Sequence, residues 1–223
     1  YMGLEVAPFT LSDEPHLLSP TQAAVYRREA EVSGIEITGL HWLLITPKGL
    51  SVTTPDPAVR ARTIDVLERL IGLCAAMGGS VLVHGSPAQR AVPPGETREV
   101  ALDRAMEVFA AIAAAAAREG VTYCLEPLAR RETDFVNTVA EAVEIVDLVS
   151  DSAFRTMIDT SAAGATETET VPTLINTWLP TGKIAHVQVN DRNRRGPGQG
   201  SDTFAPILGA LRHNDYDGVV AVE

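Results

Sequence analysis

The stretch ETREVALDRAMEVFAAIAAAAAREGVTYCLEP (residues 96–127) contains a helix pattern that is followed at once by a strand pattern. Alanine and other strong helix formers dominate residues 96–119, and Gly120 supplies a helix stop signal. The short run Thr122–Pro127 then predicts a strand. A helix that leads directly into a strand is typical of proteins in which the two alternate.

The same alternation continues on both sides of this stretch. The sequence predicts seven strands, near Leu4–Phe9, Ile35–Trp42, Val81–Gly85, Thr122–Pro127, Arg155–Asp159, Ile184–Asn190 and Val219–Glu223. It predicts helices between them, near residues 20–33, 57–77, 96–119, 137–149, 169–178 and 203–213. Strands that alternate with helices are expected to be parallel, either in an open doubly wound sheet or in a closed (β/α)₈ barrel.

Two observations favour the barrel. No G-x-G-x-x-G or Walker pattern follows a strand, so the usual signature of the nucleotide-binding open sheets is missing. Polar residues follow several different strands, as the active face of a TIM barrel requires. We therefore expect one α/β domain, residues 1–223, with the parallel (β/α)₈ TIM-barrel fold. Because only seven strands are predicted, residues 1–223 are expected to lack the first strand and the last helix of a closed barrel, and the alternative is that those segments lie outside this sequence.

Composition limits the classes of partner. The net charge of -11 does not favour nucleic acid as the main partner. No apolar run approaches the ~20 residues of a membrane span, and the opening residues do not resemble a signal peptide. We expect a cytoplasmic protein that binds a small molecule and neither nucleic acid nor a membrane. Cys74 and Cys124 are predicted to be buried thiols.

Acidic side chains occupy inward positions at the ends of several strands. Side chains alternate across a strand, so Glu126 points inward if Leu125 faces the helices. The same parity predicts that four inward side chains meet at one mouth of the barrel, namely Glu126, Asp159, Gln188 and Glu223. Three carboxylates in one place repel each other unless a cation is shared. Their oxygen atoms suit one divalent metal ion, with Mn²⁺ or Mg²⁺ expected first and Zn²⁺ or Co²⁺ as alternatives.

A simpler interpretation is available for each acid alone, because it can cap a helix or pair with an arginine. The set of four residues on four strands favours the metal.

Three further residues near strand ends are candidates for substrate binding. His84 ends the predicted strand Val81–Gly85, and the alternative is a histidine whose ring bonds neighbouring backbone. His41 and Trp42 end another strand, where an indole offers a flat apolar wall for a sugar. Packing in the core is the alternative for Trp42.

Four motifs resemble a known family. The segments LEPLARRET, MIDTSAAG, HVQVNDRNRRGPGQG and VVAVE are similar, in order and spacing, to the xylose-isomerase-like TIM barrels. The similar group is the sugar phosphate isomerase/epimerase family, which includes ketose 3-epimerases and hydroxypyruvate isomerase. The resemblance implies metal ligation by the four residues that parity selects. It also implies substrate contacts by Glu132 and Arg194, and a homodimer or homotetramer.

The chain departs from the family pattern at two positions. Gln188 stands where the ketose 3-epimerases have histidine, although hydroxypyruvate isomerase is similar in using glutamine. Ala162 replaces the histidine of the family motif D-x-x-H, which removes a hydrogen-bond donor to the substrate.

The expected function is therefore that of a metal-dependent isomerase or epimerase of a sugar, sugar phosphate or keto acid. Glu126 and Glu223 would act as an acid/base pair that moves a proton next to a carbonyl through an enediolate. Two alternatives stay open: an endonuclease IV-like phosphodiesterase that depends on metal, and a barrel that binds a polyol or sugar acid without catalysis.

Overall fold

The computed structural model describes residues 3–223. Its strands in this range are β1 Gly3–Val6, β2 Glu36–Leu40, β3 Val81–His84, β4 Thr122–Leu125, β5 Phe154–Asp159, β6 Ile184–Gln188 and β7 Val220–Ala221. Its α-helices are α1 Pro20–Val32, α2 Pro57–Met77, α3 Arg98–Glu119, α4 Val139–Val149, α5 Thr160–Thr166, α6 Val171–Trp178 and α7 Phe204–His213. Every element except α5 overlaps one that the sequence predicts.

The strands form a sheet whose order follows the sequence, from β1 to β7. The pairs β1/β2, β2/β3, β5/β6 and β6/β7 are parallel. Each strand therefore lies beside the next strand in the chain, and the helix between them serves as the crossover. In the pair β5/β6, Asp159 lies opposite Gln188, which lies opposite Ala221 of β7.

The chain divides into two compact units, and the first comprises the described residues up to Tyr123 together with Val149–Phe154. Within it, α2 packs against α3. The side chain of Asp56 caps the first turn of α2 by accepting hydrogen bonds from two backbone N–H groups. Gly120 ends α3 in the left-handed conformation, at the stop predicted from the sequence.

The second unit comprises Cys124–Leu148 and Arg155–Glu223. Side chains of β5 and β6 that parity directs toward the helices, such as Ile158 and Val187, are buried in its apolar core with Leu174 of α6. Burial of each such side chain stabilises the fold by about 1.5–3 kcal/mol. This packing fixes which face of each strand remains for polar side chains, so the alternation predicted from the sequence is confirmed for these two strands.

Helix α5 is the element that the sequence pattern does not predict. Its seven residues, TSAAGAT, include Thr, Ser and Gly, which are weaker helix formers than Ala. The helix forms because the side chain of Asp159, the last residue of β5, caps it by accepting a hydrogen bond from the N–H of Ala162. The strand thus turns directly into a helix at Asp159, an acid predicted to bind the metal.

Among residues 3–223, no helix combines the length and the apolar character that a bilayer crossing requires. Cys74 and Cys124 are buried thiols, as predicted. That residues 1–223 form one domain stays a prediction.

Candidate functional site

Three carboxylates converge in the second unit. Glu126 directly follows β4, Asp159 ends β5, and Glu223 lies two residues after β7. Each offers a carboxylate oxygen, and these three atoms lie within 4.8 Å of one another. Glu126 and Asp159 are buried, whereas Glu223 is exposed. Within the described range they are the one group of three or more acidic, histidine or cysteine side chains with metal-site spacing.

The Asp159 carboxylate is buried, and both of its oxygens accept hydrogen bonds. Oδ1 accepts from the backbone N–H of Ala162 at 2.6 Å, and Oδ2 accepts from the side-chain amide of Asn190 at 2.7 Å. The pKa of Asp159 is raised to about 6, mainly by burial and to a lesser extent by the nearby carboxylate of Glu223, while hydrogen bonds to the carboxylate act in the opposite direction. A carboxylate that is costly to ionise next to two other acids is stabilised in its charged form by a cation.

Gln188 is the fourth residue predicted to bind the metal. It ends β6 in a fully buried position, in register with Asp159 on one side and Ala221 on the other. Its amide oxygen is a neutral oxygen donor of the kind that hard divalent ions accept. Its role as a ligand stays a prediction.

Asn190 connects the strand ends around these acids, although it is not among the site residues predicted from the sequence. Its side chain donates to Asp159, and its Oδ1 accepts from the backbone N–H of Glu223 at 3.0 Å. Parity places Asn190 inward, but the sequence alone does not show that its amide NH₂ meets the carboxylate of Asp159 and its amide oxygen meets the backbone N–H of Glu223.

Glu132 and Arg194 also lie together, although 62 residues separate them in the sequence. The guanidinium of Arg194 donates to Glu132 at 2.7 Å, and the other carboxylate oxygen of Glu132 accepts from the N–H of Ala129. Arg194 is about half exposed, with 54% of its side chain accessible. The structure therefore pairs the two residues that the resemblance assigns to substrate contact, and their role stays a prediction.

The loop that carries Arg194 spans residues 191–202 and begins at a buried acid. The backbone oxygen of Asp191 accepts from the N–H of Arg194, and its side chain accepts from the N–H of Asp202. Arg192 pairs with Asp202 at 2.9 Å and is exposed, which is the surface role expected of a basic loop residue. The loop thus closes on Asp191 and presents Arg194 from a backbone in the left-handed region, with φ 65°.

The other three predicted substrate residues belong to the first unit. His84 is fully buried, and its Nδ1 lies 2.8 Å from the hydroxyl of Tyr123. Burial lowers the pKa of His84 to about 3, and the charge of Arg90 acts in the same direction, so this imidazole is neutral at pH 7. The ring of His84 therefore bonds a tyrosine hydroxyl, whereas the alternative interpretation of the sequence predicts a bond to neighbouring backbone.

His41 and Trp42 lie beyond the end of β2, which stops at Leu40. Trp42 is 41% exposed, and its ring centroid lies 6.3 Å from that of Phe9. The interpretation that Trp42 packs in the core is therefore wrong, because much of its side chain is accessible to solvent. Substrate binding by His84, His41 and Trp42 stays a prediction.

Comparison with known proteins identifies relatives over the whole chain. The family model described as the xylose isomerase-like TIM barrel matches residues 1–223. A probable ketose 3-epimerase of Synechocystis sp. is 26% identical over 222 residues, which cover 99% of this chain and 73% of the relative. A D-psicose 3-epimerase of Agrobacterium fabrum is 30% identical over 210 residues, which cover 92% of this chain and 70% of the relative.

Solved structures agree with these matches. A crystal structure of D-psicose 3-epimerase in the presence of D-fructose matches with a TM-score of 0.82 and 26% identity, and covers 100% of this chain and 74% of that protein. A 3-keto-D-glucoside 4-epimerase from Escherichia coli, at 19% identity and a TM-score of 0.84, shows the same fold. The predicted parallel α/β TIM-barrel fold is confirmed by these matches.

Proposed function

Since the chain belongs to the xylose isomerase-like TIM barrel family, we propose that it is a metal-dependent isomerase that epimerises a ketose. The observation that carries this proposal is the convergence of Glu126, Asp159 and Glu223 within 4.8 Å. Relatives described as ketose 3-epimerases support the same reaction class. The partner is then a small-molecule sugar. The predicted cytoplasmic location and the predicted homodimer or homotetramer remain part of the proposal.

The residues at the site fit a divalent cation. Glu126, Asp159 and Glu223 would hold it through carboxylate oxygens, and Gln188 through its amide oxygen. The donor set contains oxygen only, which suits Mn²⁺ or Mg²⁺ better than the nitrogen and sulfur sets typical of zinc. The bound ion would supply Lewis-acid stabilisation of the negative charge that develops on substrate oxygen.

Glu126 and Glu223 would move the proton. In a ketose, the hydrogen on the carbon beside the carbonyl is removed by one carboxylate, which leaves an enediolate. If the second carboxylate returns a proton to the opposite face of the same carbon, the product is the epimer. Glu126 follows β4 and Glu223 follows β7. Because the two carboxylates come from different strands, they can approach one carbon from two directions.

Arg194 and Glu132 would bind the substrate's hydroxyl groups. A guanidinium donates several hydrogen bonds in a fixed plane, and a carboxylate accepts them, so the pair offers both kinds of partner to a polyol. Ala162 contributes only a methyl group where the family has a histidine, and its N–H is already bonded to Asp159. We therefore expect the ketose to be held with fewer side-chain hydrogen bonds on this side of the site than in the family pattern.

Exchange of carbon-bound hydrogen with deuterated water tests the proposal. With Mn²⁺ added, the protein should exchange the hydrogen on carbon 3 of D-psicose or D-fructose and form the epimer. Glu126→Gln and Glu223→Gln should each reduce the exchange rate by at least ~100-fold, since a positioned acid or base contributes about that much. Glu144→Gln, which changes an exposed acid on α4, is the matched control and should leave the rate unchanged.

The outcomes separate this proposal from its two alternatives. Retained exchange in both active-site variants would refute the roles of Glu126 and Glu223. A protein that binds ketoses but exchanges no hydrogen would be a binding barrel, an alternative that the loss of the family histidine at Ala162 keeps open. Cleavage of DNA at abasic sites, together with several bound zinc ions, would instead indicate an endonuclease IV-like enzyme.

A further inference from the structure

Asn190 lies two residues after β6 and is buried, with 3% of its surface exposed. Its Nδ2 donates to Oδ2 of Asp159 at 2.7 Å, and its Oδ1 accepts from the backbone N–H of Glu223 at 3.0 Å. One side chain therefore contacts two of the three acids, one through its carboxylate and the other through its backbone. Both contacts lie within the second unit.

The two contacts require an amide. A carboxylate such as Asp159 needs a donor, and a backbone N–H needs an acceptor, and asparagine offers one of each on adjacent atoms. The orientation of the amide is fixed by these partners, because the flipped amide would place its oxygen against a carboxylate and its NH₂ against an N–H group. The contacts thus depend on the chemistry of Asn190 as well as on its size.

The backbone of Asn190 is held as tightly as its side chain. The hydroxyl of Thr160 donates to the carbonyl oxygen of Asn190 at 2.6 Å and accepts from its N–H at 2.9 Å. Thr160 is the residue after Asp159, at the start of α5. Four hydrogen bonds therefore join Asp159 and Thr160 at the end of β5, Asn190 after β6 and Glu223 after β7.

We propose that Asn190 is a positioning residue that sets the separation of the Asp159 carboxylate and the Glu223 segment, so that both reach one cation. The inference rests on the proposed function, because it assumes that these acids share a metal ion. The hydrogen bond from the backbone N–H of Glu223 to Asn190 ties this exposed acid to the segment that follows β6. Groups that orient metal ligands by hydrogen bonds typically change metal affinity by 10- to 100-fold when they are removed.

Calorimetric titration of the full chain with Mn²⁺ tests the proposal. Asn190→Ala removes both amide contacts, and Asn190→Leu removes them while keeping a similar volume. Each should raise the Kd for Mn²⁺ by roughly 10- to 100-fold. The matched control is Asn214→Ala, which removes an amide that donates to the carbonyl of Ala210 and to Asn176 but contacts none of the three acids. Its Kd should equal that of the unaltered protein.

Thermal unfolding without metal shows that each variant is folded before the titration is interpreted. An unchanged Kd in a folded Asn190 variant, or an equal loss in the control, overturns the role of Asn190 and leaves the proposed function intact. If the unaltered protein binds no Mn²⁺, the role of Asn190 and the proposed function both fail. A crystal structure of the unaltered protein with Mn²⁺ gives a test that needs no variant, because loss of either Asn190 contact on metal binding would also overturn the inference.

Discussion

At the scale of single residues, the Asp159 carboxylate combines a structural contact with a place in the candidate metal site. It caps α5 through the N–H of Ala162, and it lies close to the carboxylates of Glu126 and Glu223. Each carboxylate oxygen has more than one lone pair, so an oxygen that accepts one hydrogen bond still has a lone pair for a metal ion. The simple explanation of this acid as a helix cap is correct, and it does not exclude the metal site.

The raised pKa of Asp159 predicts how metal binding depends on pH. Because its pKa is about 6 in the folded protein, one proton competes with the metal below that pH. The Kd for Mn²⁺ should rise as the pH falls below about 6, by up to about tenfold per pH unit, and should change little through this group above it. Titrations with Mn²⁺ between pH 5 and 8 measure the effect, with circular dichroism to show that the protein stays folded.

The same pKa has a second consequence in the metal-free protein. The folded pKa of about 6 lies above the usual value of 3.8, so the unfolded chain releases this proton more readily. Through this group, the free energy of unfolding should therefore fall as the pH rises from about 4 to about 6, and bound metal should offset the loss.

The prediction for metal affinity has its own contradicting result. A Kd for Mn²⁺ that is constant from pH 5 to 7 would contradict the burial of Asp159 at the metal site.

At the scale of elements, the loop of residues 191–202 determines where Arg194 lies. Gly200 packs against the side chain of Asp191, and a Cβ atom added to Gly200 would collide with that carboxylate. Asp191 is fully buried and its backbone holds the turn that ends at Arg194. A glycine is required here because of this close approach, and the position of Arg194 depends on it.

Gly200→Ala should therefore displace the loop. We expect a loss of about 1–3 kcal/mol in the free energy of unfolding, typical of overpacking, together with a higher KM for the ketose. The matched control is Gly196→Ala in the same loop, where an added Cβ makes only ordinary van der Waals contacts with Val222 and Gln199. Denaturant unfolding and steady-state kinetics measure both effects. Equal KM values for the two variants would show that the loop does not position Arg194 for substrate.

Some helices and strands can be predicted from the sequence, and others cannot. Periodicity finds β4 and α3 because their residues have strong propensities and Gly120 separates them. It does not find α5, because this helix depends on a cap that the Asp159 side chain provides. It also extends the second strand to Trp42, whereas β2 ends at Leu40 and the Trp42 backbone is left-handed, with φ 56°.

At the scale of the molecule, the acids could be predicted as a group because parity and parallel order are properties of the whole sheet. Three strand ends that follow the same rule bring Glu126, Asp159 and Glu223 together without any local signal that links them. The role inferred for Asn190 could not be predicted in this way. It depends on the distances between three strand ends, which are set by packing and by the turn after β6.

If Glu126, Asp159 and Glu223 share one divalent cation, anomalous diffraction from crystals soaked with Mn²⁺ will locate it between them. We expect a single strong anomalous peak per chain, about 2.0–2.3 Å from an oxygen of each of the three carboxylates, with the amide oxygen of Gln188 beside it. Crystals that show no peak there, with the three acids separated and each paired with a different cationic side chain, would contradict a shared cation.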